Sequence, residues 1–516
     1  MAADSDPRPD SHLSDVDSAG LRRRDRLRFL AVAVGAVGLC ALYAWRGYFS
    51  SDFWEHAAVV RELSVRPLAP RHPLLAVHAP HAYASPYHLA VGLAARVTGA
   101  APTTALAIAG LVNMVLLAMA LRRFLQRLPY GEAAAPYALL FIIFLWGKDV
   151  WMWSGFFHIG MLGYNASYPS TFAAAAMFLC LSVLMDALDS GRTGLFAAIS
   201  LLVALCMLTH PPTALVLFAG LAALFFARAR RFWATAGLLF GAVSAGVALA
   251  LAWPYFPVLK LFADQPPEFH SWSGVFYQGV VGQIWPAILA LPVLVWRLRD
   301  DRRDPLVLLV ALLAVIYAIG GITGRYGLGR TIAYIVVFIQ IALAFAAVRW
   351  EAQLPKGRSW LVPAGFVVSA LALFAHNKPP LPRIIRVDRQ VWPEAKAILG
   401  PVRPGDVVLA DSRTSYLVPA LSGGRVVAWR HPVYWIPDHA ERRKAQDQFF
   451  GTATDQERRA VIARYHVQWI LLDRREVLLG PEEERRLLSL GCVVADQGAM
   501  VLVEVTTTCS PATGPR

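Results

Sequence analysis

The residues best equipped for chemistry gather just after the first apolar run, in Tyr48-Phe49-Ser50-Ser51-Asp52-Phe53-Trp54-Glu55-His56. A carboxylate just beyond a membrane span can reach both a lipid headgroup and a soluble molecule, and can take a proton from an attacking hydroxyl. Asp52 is the candidate base. The competing reading is structural: Asp is a favoured N-cap, a helix would start at Phe53, and Glu55 at its third position gives a capping-box-like pattern. His56, four residues on, shares the helical face of Asp52. His72, His78, His81 and His88 crowd the same stretch. Imidazoles with Asp52 or Glu55 suit zinc, but the spacing fits no established ligand pattern, so no metal or other cofactor is assigned. Two readings stay open for Glu55, His56, His81 and His88: hydrogen bonds to substrate oxygens, or plain interfacial polarity.

A second constellation is Gly324-Arg325-Tyr326-Gly327-Leu328-Gly329-Arg330. Its glycines expose backbone N–H groups, and Arg325 and Arg330 are each able to grip a phosphate bidentately. The bland alternative is a loop whose arginines snorkel to headgroups. His210, next to Pro211-Pro212, sits where a helix must break and could reach a central cavity. Lys148, Asp149, His158, Asp264, Glu268 and His270 read as interfacial.

The chain that must position these residues has 516 residues, is 57% hydrophobic and only 16% charged, against about a quarter charged in an ordinary soluble domain. Its mean hydropathy is +0.47. Apolar stretches long enough to enter a bilayer fall at about 29–46, 103–121, 133–147, 168–187, 193–209, 212–227, 232–253, 278–296, 305–322, 329–348 and 359–376, about eleven spans. The formal net charge of +14 comes without the aromatic-interleaved basic stripe that grips nucleic acid. With the Arg22-Arg23-Arg24 cluster on the cytoplasmic side, alternation makes the loops carrying Arg122, Arg192, Arg228, Arg297 and Arg349 cytoplasmic as well, as the positive-inside rule requires.

The expected organisation is a disordered cytoplasmic tail over 1–28, a transmembrane domain over 29–376 with a long outer loop at 47–102, and a periplasmic α/β domain over 377–516. Within the outer loop, Asp52–Leu63 predicts an amphipathic helix at the membrane surface and Pro86 to about Thr98 a second helix. In the tail domain, 406–410, 468–472 and 500–505 read as strands, with helices over 440–449 and 455–465 between them. Cys492 and Cys509 are the only two cysteines placed to pair.

The layout resembles the polytopic glycosyltransferases of the GT-C fold, on SDFWEH around Asp52, on HAYASPYH at 81–88 and, more weakly, on SYPST at 167–171. The resemblance implies a multi-pass bacterial inner-membrane enzyme with a cytoplasmic N-terminus and a periplasmic C-terminus. It also implies a polyprenyl-phosphate sugar donor, a glycan or lipid acceptor, and an inverting transfer with Asp52 as base. Many members carry paired acidic residues in this loop, whereas Phe53 follows Asp52 here, leaving a partner role to Glu55 or to nothing. A lipid-linked polysaccharide polymerase or ligase would concentrate function in a loop between later spans. A glycolipid transporter or flippase would show pseudo-symmetric halves and mid-span charges, and neither is evident.

Overall fold

All eleven apolar runs become helices in the computed structural model, which describes residues 11–49, 51–263, 271–355, 357–376, 392–431 and 433–506. Among the described residues seven helices are long and apolar enough to cross a membrane, and an eighth span results if Val280–Leu289 and Leu291–Asp300, bent by 42° at their junction, count as one. The bend has a local cause, because Pro292 supplies no N–H to the first helix and forces a new start. The other three runs form shorter apolar helices, Gly131–Phe144, Leu195–Thr209 and Leu361–Ala375. Asp264, Glu268, His270 and Cys509 lie outside the described residues.

In chain order the first helices are α1 (Ser11–Trp45), α2 (Ser51–Val65), α3 (Pro86–Thr98), α4 (Pro102–Gln126), α5 (Gly131–Phe144), α6 (Ile159–Asn165), α7 (Pro169–Ser190), α8 (Leu195–Thr209), α9 (Pro211–Arg228) and α10 (Phe232–Leu251). α1 therefore begins inside the stretch expected to be an unstructured tail. The helix Thr331–Gln353 is the central post: the most apolar stretch of the segment Tyr326–Gln353 is 89% buried, against 22% for those of α1 and α10. Those two turn large apolar side chains such as Trp45, Trp233 and Phe240 outward, as helices facing lipid must. At the basic end of the bundle the arginines are tied by acids near the helix ends. Arg28 meets Glu351, Arg123 and Arg127 meet Asp186, Arg228 meets Asp189 and Arg297 meets Asp304.

The C-terminal part is a five-stranded sheet of order β2-β1-β3-β5-β4, with β1 (Val407–Ala410), β2 (Arg425–Val426), β3 (Trp469–Asp473), β4 (Cys492–Gln497) and β5 (Met500–Glu504). β2, β1 and β3 are parallel, and β5 and β4 add antiparallel. One face packs on Phe449, Phe450 and Tyr465, from the amphipathic helices His439–Phe450 and Asp455–Tyr465.

The other face packs on the first outer loop, and this differs from expectation. α2 has no exposed polar face of the kind an amphipathic surface helix presents. Phe53 through Val60 are all buried, in one core with Leu417, Val418, Val426, Trp429 and Leu471 of the sheet domain. A helix with apolar residues on every side is stable only when covered on every side, and α2 is wedged among α3, α4 and the short helix Leu417–Leu421. Polar ties complete the joint. Arg61 donates to the carbonyls of Ala420 and Leu421 at 2.9 Å each, satisfying the open end of that short helix. Arg425 pairs with Glu62 at 2.5 Å and donates to the Pro73 carbonyl. Leu75 bridges Val426 in parallel, so the connector extends the sheet beyond β2.

Candidate active site

Asp52 stands in the first turn of α2, which starts at Ser51. It is therefore inside the helix and not its cap. Glu55 does not close a capping box either: it is buried and lies 3.4 Å from His81 Nε2. Burial alone would raise the Glu55 pKa, yet the hydrogen bond and charge of His81, helped by His431 and His56, hold it below the ordinary carboxylate value. Glu55 is thus an ionised group whose charge is already matched.

The structure brings four of the loop histidines together. His56, His72, His81 and His88 are all at most 6% exposed, with the His72 and His81 rings 5.0 Å apart and the His56 and His88 rings 5.0 Å apart. Burial pulls His56 down to about 4 and pulls His72 and His88 well below the ordinary imidazole value. They are neutral hydrogen-bonding groups at neutral pH. Among the described residues no group of three or more His, Cys, Asp and Glu side chains is placed to hold a metal ion.

A chain of hydrogen bonds settles which nitrogen of His56 carries its proton. Ser85 caps α3, accepting from the His88 backbone N–H. Its own hydroxyl is buried and must donate, and the acceptor at hand is His88 Nδ1 at 2.8 Å. The His88 proton then sits on Nε2 and is given to His56 Nδ1 at 3.0 Å, so His56 is protonated at Nε2. α3 is held for this by Tyr87, which donates to the Ser167 carbonyl and accepts from Asn113. Tyr168 sets its ring edge on His56 at 5.1 Å. The SYPST segment is therefore part of the frame around the histidines.

Arg330 ends a 3-10 turn, Tyr326–Arg330, and its guanidinium lies 5.0 Å from the centre of the Trp153 ring. Asn165 fixes the Trp153 loop by donating to the carbonyls of Trp153 and Phe156. Arg330 acts electrostatically on Tyr83, which burial and the charges of Glu55 and Asp52 push well above the ordinary phenol value, and on Tyr434. Arg325, at the other end of the turn, is exposed. Of the two arginines, the fold brings only Arg330 to the site. His210 is there as well: burial, then Arg330 and His56, lower it to about 3. Its Nδ1 pairs with Thr213 at 2.8 Å, and its buried Nε2 has no partner among the described residues.

The C-terminal domain supplies residues that the sequence reading missed. His431 Nδ1 lies 3.9 Å from Asp52 Oδ1, and the Tyr416 hydroxyl lies 3.0 Å from His431. Trp272 sets its ring edge-on to His431 at 5.6 Å. The signal available for them was the density of aromatic and basic residues in Trp429-Arg430-His431 and Tyr434-Trp435. Tyr83, between the two quoted histidines, was visible in the motif but unassigned.

No family model matches the chain, and no curated protein matches it. Solved structures do. The oligosaccharyltransferase of Archaeoglobus fulgidus superposes with a TM-score of 0.53 at 12% identity, over 89% of this chain and 71% of that one. ArnT from Cupriavidus metallidurans gives 0.50 at 15% identity, over 88% and 93%. The arabinofuranosyltransferase AftD from Mycobacteria gives 0.54 at 14% identity, over 94% of this chain and 40% of that much longer one. Each superposition spans most of this chain, and the chain has the GT-C fold of membrane glycosyltransferases.

Proposed function

We propose that this protein transfers a sugar from a polyprenyl-phosphate donor to a hydroxyl of a glycan or lipid acceptor, on the periplasmic side of a bacterial inner membrane, with Asp52 as the base. The observation that carries the reading is the convergence of a part-exposed carboxylate with a guanidinium, Arg330, among buried neutral donors at one end of a GT-C bundle. In the transfer the acceptor oxygen bonds to the anomeric carbon, the bond from that carbon to the phosphate oxygen breaks, and the hydroxyl proton passes to Asp52. The configuration inverts because attack comes from the face opposite the leaving phosphate. Arg330 faces the charge that grows on that phosphate, where a fixed cation stabilises the departing group. His56, with its proton on Nε2, donates to a substrate oxygen, and His210 offers a second imidazole. The contact between Glu55 and His81 backs this wall. Arg325 is left at the surface, a contact for lipid headgroups.

The test is Asp52→Asn in membranes supplied with a panel of labelled farnesyl-phosphate sugars and a short-chain alkyl glycoside acceptor. Transfer should fall by roughly 10²–10⁴-fold while the melting temperature stays at the wild-type value. Wild-type transfer by this variant would remove Asp52 from the role. Arg330→Lys keeps the charge but loses the planar fork, so it should raise KM for the donor and slow transfer about tenfold or more.

A further inference from the structure

We infer that the C-terminal domain completes the active site by supplying His431 as the charge partner of Asp52, a positioning residue that Tyr416 holds in place. The inference deepens the function proposed above, and its primary measurement does not require that Asp52 be the base.

Three observations carry it. The first is contact: His431 Nδ1 is 3.9 Å from Asp52 Oδ1, across the joint between a helix of the membrane domain and a segment following β2. The second is support. Tyr416 follows β1, its hydroxyl is 3.0 Å from His431, and burial together with the charges of Glu55 and Asp52 keeps it a protonated phenol. Its ring is set edge-on to Trp429 at 4.5 Å, and Trp429 is fully buried. The third is topology. His431 and Tyr416 both come from segments that leave the carboxyl ends of parallel strands, the edge where open α/β sheets gather functional loops. Here that edge is set against the head of α2.

A protonated imidazole beside a carboxylate favours its ionised form. Other groups act electrostatically with Asp52 too: Tyr83 from the first outer loop, Arg330 from the 3-10 turn, and Tyr416 from the C-terminal domain, while Glu55 and His56 follow it on its own helix. Of these, Arg330 is a permanent cation, so the share that belongs to His431 must be measured by removing His431 alone. The side chains of His431 and Asp52 are 32% and 43% exposed, so solvent screening reduces the effect to roughly half to one pH unit.

The experiment uses the purified full chain in detergent and a diazo reagent that esterifies only protonated carboxyls, with modification of Asp52 read by peptide mass spectrometry across pH. In His431→Gln the pH of half-modification should rise by roughly half to one unit. It should rise less in Tyr416→Phe, where the imidazole remains but loses its anchor. His431→Lys, which keeps a cation, should stay near the wild-type midpoint. A His431→Gln midpoint within 0.2 unit of wild type, an order-of-magnitude resolution for such titrations, overturns the inference. So does an equal upward shift in His431→Lys, which would show that shape and not charge was lost. Transfer assays separate the two readings. Asp52→Asn retaining activity while His431→Gln shifts the midpoint sinks the base and leaves the partner; an inactive Asp52→Asn with an unmoved midpoint does the reverse.

Discussion

At the scale of single residues, the decisive feature is that burial holds His56, His72 and His88 neutral. The unfolded chain binds protons on its histidines below about pH 6.5, whereas folded His56 does so only near 4, and His72 and His88 are also lowered. The unfolded state therefore holds more protons in that window, and stability present above about pH 6.5 is lost as the pH falls toward 4. The melting temperature should drop by on the order of a few degrees between pH 7 and pH 5, and less steeply in His56→Gln. A flat wild-type profile would contradict the buried neutral cluster. The assigned tautomer makes a separate claim. Gln can present an N–H where His56 Nε2 does, and Ala cannot. His56→Ala should therefore lose on the order of tenfold or more in kcat/KM, with His56→Gln retaining most of it, and neither should reshape the profile between pH 6 and 8.

At the scale of elements, α2 is the joint on which everything turns, because one face frames the site and another is the floor of the C-terminal domain. The ion pair of Glu62 and Arg425 closes that joint with both residues at most 8% exposed. Removing one partner of such a pair strands a buried charge, at a cost of about 3–5 kcal/mol. Arg425→Ala should thus make the segment around 392 cleavable by protease under conditions in which wild type resists. Glu62→Gln with Arg425→Met should recover much of the resistance. If the single variant resisted as well as wild type, the joint would be held by the apolar core alone. Packing between α2 and α3 is equally tight. A Cβ on Gly92 would lie 2.9 Å from Leu63 Cβ and 3.2 Å from backbone atoms of Leu63 and Ser64, so no rotamer change relieves it. Gly92→Ala should push α3, and His88 with it, away from His56.

At the scale of the whole molecule, the site lies at the end of the bundle opposite the arginine ion pairs. Arg–acid ties such as Arg123–Asp186 and Arg297–Asp304 mark one end, while Asp52, His210, Arg330 and the docked sheet mark the other. In the orientation proposed above, which follows the positive-inside rule, the arginine end is cytoplasmic. A membrane-impermeant maleimide added to intact spheroplasts should then label a cysteine at Ser489→Cys and spare one at Arg302→Cys, both exposed positions. The reverse pattern would place the site on the cytoplasmic side. Because the C-terminal domain covers α2, deleting it would uncover Phe53, Trp54 and Val60 together, an apolar patch of the size that drives aggregation.

Local chemistry alone determined a good deal. The eleven apolar runs, the Pro211 break beside His210, the α3 start at Pro86, and strands β1, β3 and β5 were legible because each is set by hydropathy or period within a few neighbouring residues. The edge strands β2 and β4 were not, being short or exposed and stabilised by partners far along the chain. Asp52 and the histidines could be nominated from their types, but the sequence could not say that α2 starts at Ser51, nor that Glu55 would be spent on His81. Only the tertiary structure decided that Arg330 and not Arg325 reaches the site, since the two differ by where one 3-10 turn points each side chain. It alone placed His431 beside Asp52, nearly four hundred residues away, because that contact exists only once a sheet has packed on a buried helix.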